Sequence, residues 1–335
     1  MSLSYTSPNT YAPDIADRQL YKEDVLARAR TFFELPLLEL VFQAQKVHRL
    51  NHDPEVIQFC TLSSIKTGAC PEDCAYCPQS SRYKTSSPVH NVLDIEEVKN
   101  QAAQAEANGS TRFCLGAAWR DLPQGKTFEG ILELIEALKT YNLEICCTLG
   151  MLNHDQAKRL KESGLHTYNH NIDTSPEFYP EIITTRKYQE RLDTIANIQA
   201  AGIKVCSGGI IGMGESSEDR LRFLAVLASL EPNYPDSVPI NALVPMEGTP
   251  LAKRPLIDPL ELVRMVAVAR LLMPKAMVRL SAGRKFLSDE AQALCFLAGA
   301  NSIHTGEKLL TTPNAGEAQD HKLMLKLGLK IMSQG

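Results

Sequence analysis

Two features are scarce in this sequence of 335 residues: long apolar runs and an excess of charge of one sign. No apolar run reaches the length needed to cross a membrane, and the first residues lack the basic-then-apolar order of a secretion signal. The net charge of −4 provides no basic surface for nucleic acid. We therefore expect a cytoplasmic protein with neither a membrane nor a nucleic acid as partner.

Cysteine, in contrast, is plentiful, and nine cysteines in a cytoplasmic chain indicate metal or redox chemistry rather than disulfides. Cys70, Cys74 and Cys77 lie in the segment CPEDCAYC, with the spacing C-x3-C-x2-C. Gly68 and Pro78 disfavour regular structure, so the three thiols can converge from a loop. Three thiolates suit an iron–sulfur cluster with one open iron, whereas a closed zinc site takes four ligands. A zinc loop completed by a distant fourth ligand is the alternative.

From residue 57 onward a short β-rich run, a loop and an amphipathic helix repeat. The candidate strands are 57–65, 111–118, 144–149, 166–173, 204–212, 237–244, 276–283 and 301–305. The helical patterns between them are 94–108, 127–141, 153–163, 186–201, 216–230, 258–273 and 288–298. Eight strands that alternate with helices predict an α/β fold, a (β/α)8 TIM-type barrel, and a doubly wound open sheet is the alternative. We expect a flexible N-terminal arm over 1–35 and a single barrel domain over 36–335.

Alternation along each predicted strand separates an inward face from a face that packs against helices. In strand three, Ile145, Cys147 and Leu149 form the apolar face, so Cys146 points inward. The same reasoning directs seven more side chains into the barrel: Arg112, Cys114, Asn171, Asp173, Cys206, Asn241 and Arg279. A buried guanidinium needs an anionic partner, and a cluster of thiolates would supply one. A lone strand cysteine is usually only a small buried hydrophobe, so Cys60 and Cys295 are expected to be core residues without a role.

The C-x3-C-x2-C pattern, with Tyr76 before its third cysteine, is similar to the signature of the radical S-adenosylmethionine enzymes. The wider context, SIKTGACPEDC followed by YCPQSSRY, resembles the members of that family that insert sulfur into dethiobiotin to make biotin. The resemblance extends from about residue 36 to about residue 328. It implies a sulfurtransferase of biotin biosynthesis with a [4Fe–4S] cluster on Cys70, Cys74 and Cys77. The open iron would bind S-adenosyl-L-methionine, whose reductive cleavage yields the radical that attacks the substrate.

The resemblance also implies a second, [2Fe–2S] cluster on Cys114, Cys146, Cys206 and Arg279. The local sequences STRFC, KVCSGG and VRLSAGR match those of the family around these positions. The adjacent pair Cys146–Cys147 leaves sequence alignment undecided, and the strand-face argument selects Cys146.

Several further residues match positions that bind S-adenosyl-L-methionine or substrate in this family. The implied S-adenosyl-L-methionine contacts are Tyr76, Asn171, Asp173, Gly208, Ile210 and Gly212. Arg112 is a candidate for the methionyl carboxylate, because a guanidinium fork suits that group. Asn171 and Asn241 are the implied substrate contacts. The amide of Asn241 offers both a donor and an acceptor to the cyclic urea of dethiobiotin.

The resemblance implies an electron donor such as flavodoxin or ferredoxin, and a homodimer. Two other functions stay open at this point. One is another radical S-adenosylmethionine barrel enzyme, of maturase or mutase type, which would have no need for the second set of cysteines and arginine. The other is a zinc-binding or redox-sensing protein without catalysis.

Overall fold

Nine short strands form the wall of a closed barrel in the computed structural model, which describes residues 20–333. They are β1 (Val56–Lys66), β2 (Arg112–Ala117), β3 (Glu144–Thr148), β4 (Thr167–Asn169), β5 (Lys204–Cys206), β6 (Gly209–Ile211), β7 (Ser237–Ala242), β8 (Met277–Leu280) and β9 (Ser302–Thr305). All neighbouring wall strands pair in parallel, and β9 returns to pair with β1. The (β/α)8 barrel is confirmed, and the open sheet is wrong.

Several of the predicted strands are shorter than expected, among them 276–283, of which only Met277–Leu280 is a strand. The run 204–212 is interrupted, so that β5 and β6 together occupy one place in the wall. The run 166–173 is a strand only as far as Asn169, and the residues after it form a loop at the barrel mouth. The predicted positions of Asn171 and Asp173 within a strand are therefore wrong.

The seven predicted helices are present with ends shifted by a few residues. The helices of the described chain are α1 (Glu23–Phe33), α2 (Leu37–Asn51), α3 (Ile95–Ala107), α4 (Lys126–Leu138), α5 (His154–Glu162), α6 (Tyr179–Ile182), α7 (Tyr188–Ala200), α8 (Ser217–Ala228), α9 (Pro259–Leu272), α10 (Asp289–Leu297) and α11 (Glu317–Leu327). Asp94, Asn153 and Asp258 accept hydrogen bonds from the first turns of α3, α5 and α9, as N-cap residues do. These three side chains explain where the helices begin.

Residues 1–19 of the predicted N-terminal arm lie outside the described residues, and most of the remainder of that arm is helical. Helix α1 buries Leu26 and Ala29, and Arg30 forms an ion pair with Glu218 on α8. The guanidinium of Arg264 on α9 donates to the backbone carbonyls of Phe33, the last residue of this helix, and of Leu35 just after it. Residues 23–33 are therefore packed against the outside of the barrel.

The chain after β9 adds short elements at the two ends of the barrel. A hairpin of β10 (Lys308–Leu309) and β11 (Thr312–Pro313) borders the mouth, where the wall strands end. The final strand, β12 (Lys330–Ile331), pairs with the start of β1 at the opposite end.

The hydrophobic core lies between the barrel wall and the surrounding helices. Phe113, Ile145, Cys147 and Val278 all belong to it, as their predicted outward faces require. Among residues 20–333, no helix is both long and apolar enough to span a membrane. The inward faces of the strands are left for polar and sulfur-containing side chains, which form the candidate site.

Candidate active site in the barrel mouth

A cavity of about 310 Å³ opens where the wall strands end. Most of the predicted site residues line it: Cys70, Cys74, Tyr76, Cys77, Cys114, Cys146, Asn171, Asp173, Cys206, Ile210, Asn241 and Arg279. The three-cysteine loop and the inward thiols of the strands therefore share one cavity, as the barrel prediction requires.

The three-cysteine loop begins with a tight turn directly after β1. Gly68 has φ 73°, and a Cβ there would lie 2.6 Å from the carbonyl oxygen of Pro88, so a larger residue does not fit. Beyond the turn, Cys70 donates its backbone N–H to Gln79, and Ser81 donates to Cys70. These backbone bonds close the loop on itself and hold its thiols at the cavity.

The two acidic residues between Cys70 and Cys74 fasten the loop to the chain after α6. Asp73 accepts hydrogen bonds from the backbone N–H groups of Thr184 and Thr185 at 2.9 and 3.2 Å. Burial alone would raise the pKa of Asp73, but these bonds and those from the threonine hydroxyls hold it at about 2. Glu72 is buried and accepts from Arg120 at 2.6 Å. This anchoring role was not predicted, although the segment CPEDC contains both acids.

The thiols of the loop can act as metal ligands, and burial determines their protonation in the absence of a metal. Burial raises the pKa of Cys74 and raises that of Cys77 to about 11, so both are neutral thiols unless a metal binds. Among the described residues, no group of three or more His, Cys, Asp or Glu side chains is arranged to hold a single metal ion. Three thiols around one cavity suit a multi-iron cluster, because each cysteine then binds a different iron.

A second set of thiols lies deeper in the barrel. Cys114 and Cys146 are directly opposite each other on β2 and β3, and they share a hydrogen bond that raises the pKa of Cys146 and lowers that of Cys114. Arg279 is fully buried, and its Nη1 lies 3.6 Å from Sγ of Cys206. The structure therefore brings together all four residues predicted for the second cluster.

The neighbouring Cys147 has different surroundings. It packs in the helix-facing core with Ile145 and Leu149, whereas Cys146 lines the cavity. Burial raises the pKa of the Cys147 thiol and leaves it a protonated core side chain. Alternation along β3 thus selects the same cysteine that the structure places inside the barrel.

The structure corrects the prediction that Arg112 binds the methionyl carboxylate, because it does not place Arg112 near the three-cysteine loop. It begins β2, at the end of the wall opposite the mouth, and its Nε and Nη2 lie 2.9 and 2.8 Å from Glu144. Burial alone would raise the pKa of Glu144, but the Arg112 guanidinium holds it at about 2. An arginine at the start of a strand cannot serve a ligand at the mouth.

Two other buried arginines, Arg186 and Arg191, line the cavity near the loop, and the sequence analysis missed both. Arg191 forms an ion pair with Asp173, whose backbone has φ 67°. Nε of Arg186 has no hydrogen-bond partner and lies 3.5 Å from a carboxylate oxygen of Glu72. Their position after β4, on the mouth side of the barrel, was the available signal.

The glycine-rich segment after β5 lets the backbone pass close to its neighbours. A Cβ on Gly208 would lie 1.9 Å from the carbonyl oxygen of Pro239, and Gly212 has φ 95°. Gly208 donates its N–H to Oδ1 of Asn171 at 3.1 Å, which fixes that amide at the cavity. Gly208 and Gly212 therefore shape the wall, while Ile210 between them contacts the cavity.

Asn241 is held by backbone groups on both sides. Its Nδ2 donates to Gly209 at 2.9 Å, and its Oδ1 accepts from Ala282 at 3.1 Å. A carboxamide has two donor hydrogens and two acceptor lone pairs, so one of each stays available to a ligand.

The hairpin residues Leu310, Thr311 and Thr312 also line the cavity and were not predicted. Gly116 on β2 admits this hairpin, because a Cβ there would lie 2.7 Å from Cδ2 of Leu310. Irregular loops carry no alternation signal, so the sequence pattern could not place these residues.

The chain has close relatives among curated proteins. It is 56% identical over 305 residues to a biotin synthase of Synechococcus sp. (strain JA-3-3Ab), across 91% of this chain and 98% of that one. It is 58% identical over 300 residues to a biotin synthase of Nitrosococcus oceani, across 90% of this chain and 86% of that one. The chain belongs to the biotin synthase family. It is accordingly a radical S-adenosylmethionine enzyme of the sulfur-inserting type, and the zinc-protein alternative is wrong.

Two family descriptions agree with this membership, and solved structures agree with the barrel fold. Residues 64–227 match the Radical SAM superfamily, and residues 239–330 match the Biotin and Thiamin Synthesis associated domain. The fold is similar to methylornithine synthase (TM-score 0.76, 20% identity, 95% of this chain and 96% of that one). It is also similar to the [FeFe]-hydrogenase maturase of Carboxydothermus hydrogenoformans (TM-score 0.75, 18% identity, 93% and 79%). At these identities the two structures support the barrel fold alone.

Proposed function

We propose that this chain converts dethiobiotin to biotin, with the three-cysteine loop and the deep thiol set holding two different iron–sulfur clusters. The observation that carries the proposal is that both sets of thiols face one cavity. A barrel enzyme that only generates a radical would need the loop but would have no use for three inward thiols and a buried arginine. This difference favours sulfur insertion over a maturase or mutase reaction.

The residues fit the two clusters. Cys70, Cys74 and Cys77 would hold the [4Fe–4S] cluster and leave one iron open. Cys114, Cys146, Cys206 and Arg279 would hold the [2Fe–2S] cluster. The buried charge of Arg279 supports this assignment, because a guanidinium at this depth is stable only beside negative charge.

S-adenosyl-L-methionine would lie between the loop and the glycine-rich wall. Tyr76 and Ile210 would contact its adenine, and Asn171 and Asp173 its ribose. In place of Arg112, we assign the methionyl carboxylate to Arg186 and Arg191, which are the guanidinium groups at the mouth. Nε of Arg186 makes no hydrogen bond within the described chain, which supports this choice.

Dethiobiotin would bind deeper, between the loop and the second thiol set. The free donor and acceptor of Asn241 suit the two sides of its cyclic urea, with Asn171 as the second contact. Thr311 lies at the edge of the cavity, where its hydroxyl would donate a hydrogen bond to the carboxylate tail of the substrate.

When bound, the iron–sulfur groups and S-adenosyl-L-methionine supply a carbon radical and the sulfur to be inserted. The chain itself positions the substrate and cofactors and excludes water. The closed wall keeps water and other hydrogen donors from the reacting carbons. The Asp173–Arg191 ion pair and the backbone bond from Gly208 fix two ligand-binding side chains before substrate arrives.

The electron donor would be a flavodoxin or ferredoxin, and we propose a homodimeric, cytoplasmic enzyme. We also propose that residues 36–335 form one domain and that residues 1–35 precede it as an N-terminal arm, whose helix α1 packs against that domain.

The proposal can be tested by reconstituting the iron–sulfur clusters of the protein anaerobically with isotopically labelled sulfide and then allowing a single turnover. We expect label in the biotin product and a matching loss of label from the protein. Unlabelled product from a protein that keeps its label would contradict the role of the second cluster. Zinc without sulfide in the purified protein would contradict the enzyme assignment itself.

A further inference from the structure

Cys60 faces the deep thiol set, contrary to the expectation that it is only a core residue. It is fully buried on β1, opposite Arg112 on β2 and opposite His304 on β9. The helix-facing core includes its neighbour Phe59 but does not include Cys60. The barrel interior therefore contains a fourth thiol in addition to Cys114, Cys146 and Cys206.

Cys60 and Arg279 contact the same two atoms. Sγ of Cys60 lies 3.5 Å from Oε1 of Gln58 and 3.5 Å from Oγ of Ser302. Nη2 of Arg279 lies 3.3 Å from the same glutamine oxygen, and its Nε lies 2.8 Å from the same serine oxygen. The thiol and the guanidinium are thus neighbours around one pair of oxygens.

The space around Cys60, Cys114, Cys146, Cys206 and Arg279 is called the chamber below. A second observation indicates that this chamber accommodates more negative charge than the protein groups supply. Arg112 is 3% exposed, and its Nη1 has no hydrogen-bond partner, although its other nitrogens pair with Glu144. A buried, unpaired guanidinium N–H is costly unless an anion lies beside it. Arg112 is the cross-strand neighbour of Cys60, so the unmet charge lies on the side of the chamber that Cys60 occupies.

We propose that Cys60 is a reserve ligand of the second cluster, which binds iron in place of Arg279 when that side chain is displaced or absent. The inference rests on the proposed function, because it requires a second cluster in this chamber. Four thiolates are the usual ligand set of a [2Fe–2S] cluster, and thiolate is a softer iron ligand than a guanidino nitrogen.

The exchange balances without a redox partner. The iron–nitrogen bond to Arg279 breaks and an iron–sulfur bond to Cys60 forms. The proton of the Cys60 thiol would move to the released guanidino nitrogen or, in a protein that lacks Arg279, to the solvent during reconstitution, and the oxidation state of the iron would not change.

The test compares four full-length proteins reconstituted anaerobically: the unchanged chain, Cys60→Ser, Arg279→Ala and the double variant. Iron and sulfide per chain are measured together with visible absorption and electron paramagnetic resonance of the reduced protein. We expect both single variants to keep about six irons, and the double variant to fall to about four, the content of the first cluster alone. Arg279→Ala should show a shifted spectrum, because a sulfur ligand has replaced nitrogen. Cys295→Ser, which removes a buried thiol outside the chamber, combined with Arg279→Ala is the matched control and should keep about six irons.

The outcomes separate this inference from the proposed function. A double variant that keeps the second cluster with the spectrum of Arg279→Ala would overturn the reserve role of Cys60. An Arg279→Ala protein that loses the second cluster while Cys60 is present would overturn it too. An unchanged chain that builds no second cluster would overturn the proposed function instead. Retention of the first cluster in every variant reports that the barrel has folded.

Discussion

The contact between Arg279 and Cys206 carries much of the interpretation at the scale of single residues. A guanidinium with no solvent exposure, 3.6 Å from a thiol sulfur, is stable only if negative charge accumulates around it. The thiols of the chamber can supply that charge when they bind a metal cluster, because binding releases their protons and leaves thiolates. The side chains that flank the chamber therefore matter as much as the ligands.

The adjacent cysteines of β3 provide a residue-scale test. Cys146→Ser should strip or perturb the second cluster, because its side chain points into the cavity. Cys147→Ser should leave the visible absorption of that cluster unchanged, because its side chain packs among apolar residues. It should instead lower the free energy of unfolding by about 1–3 kcal/mol, the cost of burying a hydroxyl without a partner. Reversed phenotypes would mean that the register of β3 is off by one residue.

The three-cysteine loop provides a second test. Cys74→Ala should abolish cleavage of S-adenosyl-L-methionine, because only two thiolates would remain to hold the first cluster. The measurement is 5′-deoxyadenosine formed under reducing conditions, with Cys295→Ala as a control that removes a buried thiol far from the loop. Any Cys74→Ala protein that still forms 5′-deoxyadenosine would contradict the assignment.

At the scale of elements, the break between β5 and β6 helps the barrel wall to position a ligand-binding side chain. The backbone of residues 207–208 leaves the strand path and passes so close to Pro239 that only glycine fits at position 208. The same glycine N–H holds Asn171. A structural irregularity thus places a ligand-binding side chain.

Gly208→Ala should disturb both functions of this segment. The new Cβ would lie 1.9 Å from a backbone carbonyl oxygen, so the strands must separate, at a cost of about 1–3 kcal/mol in unfolding free energy. Binding of S-adenosyl-L-methionine should weaken in parallel. Gly130→Ala on α4 is the control: nothing lies within 4 Å of its Cβ, and we expect it to stabilise by about 0.5–1 kcal/mol. Thermal unfolding and equilibrium dialysis measure the two effects, and a Gly208→Ala protein as stable as its parent would contradict the close approach.

Two histidines at the C-terminal end of α2, His48 and His52, lie near Arg270 on α9. Their pKa values predict that the stability of the protein depends on pH. Burial, together with the nearby Arg270 guanidinium, lowers the pKa of His48 to about 3 and that of His52 to about 4, from an ordinary 6.5. The unfolded chain therefore binds more protons below pH 6.5. Stability present above pH 6.5 should fall as the pH drops toward 4, by about 1–2 kcal/mol at pH 5 for the buried His48.

The measurement is the thermal unfolding midpoint of the metal-free protein at pH 7 and pH 5. The His48→Gln/His52→Gln variant should lose less stability between these values than the unchanged chain. The exposed His154→Gln is the control and should behave like the unchanged chain. Equal slopes for all three proteins would contradict the prediction.

At the scale of the whole molecule, closure of the barrel creates the site. The pairing of β9 with β1 brings Ser302 and Gln58 within 3.1 Å, and both contact Arg279. An open sheet would leave these strands at opposite edges. The closed wall also places the loop after β1 at the same cavity as thiols from three other strands, which is the arrangement that the proposed two-cluster site needs.

The sequence by itself determined the fold class, the three-cysteine loop and the choice of Cys146 over Cys147. The physical reason is local, because strand alternation and cysteine spacing depend only on neighbouring residues. The family resemblance added the role of Arg279 at the second cluster and the chemistry.

Only the tertiary structure decided which charged and sulfur-containing groups meet. Arg112 was assigned to the mouth because its inward direction was known but its depth was not. Cys60 was dismissed because alternation in the long strand β1 gives no sign of what lies opposite. Arg186 and the hairpin after β9 lie outside the wall strands, and Arg191 lies in the first turn of α7. The positions of all three depend on contacts between segments distant in the chain. Depth in the barrel and cross-barrel contact are set by strand register and closure, which no local pattern contains.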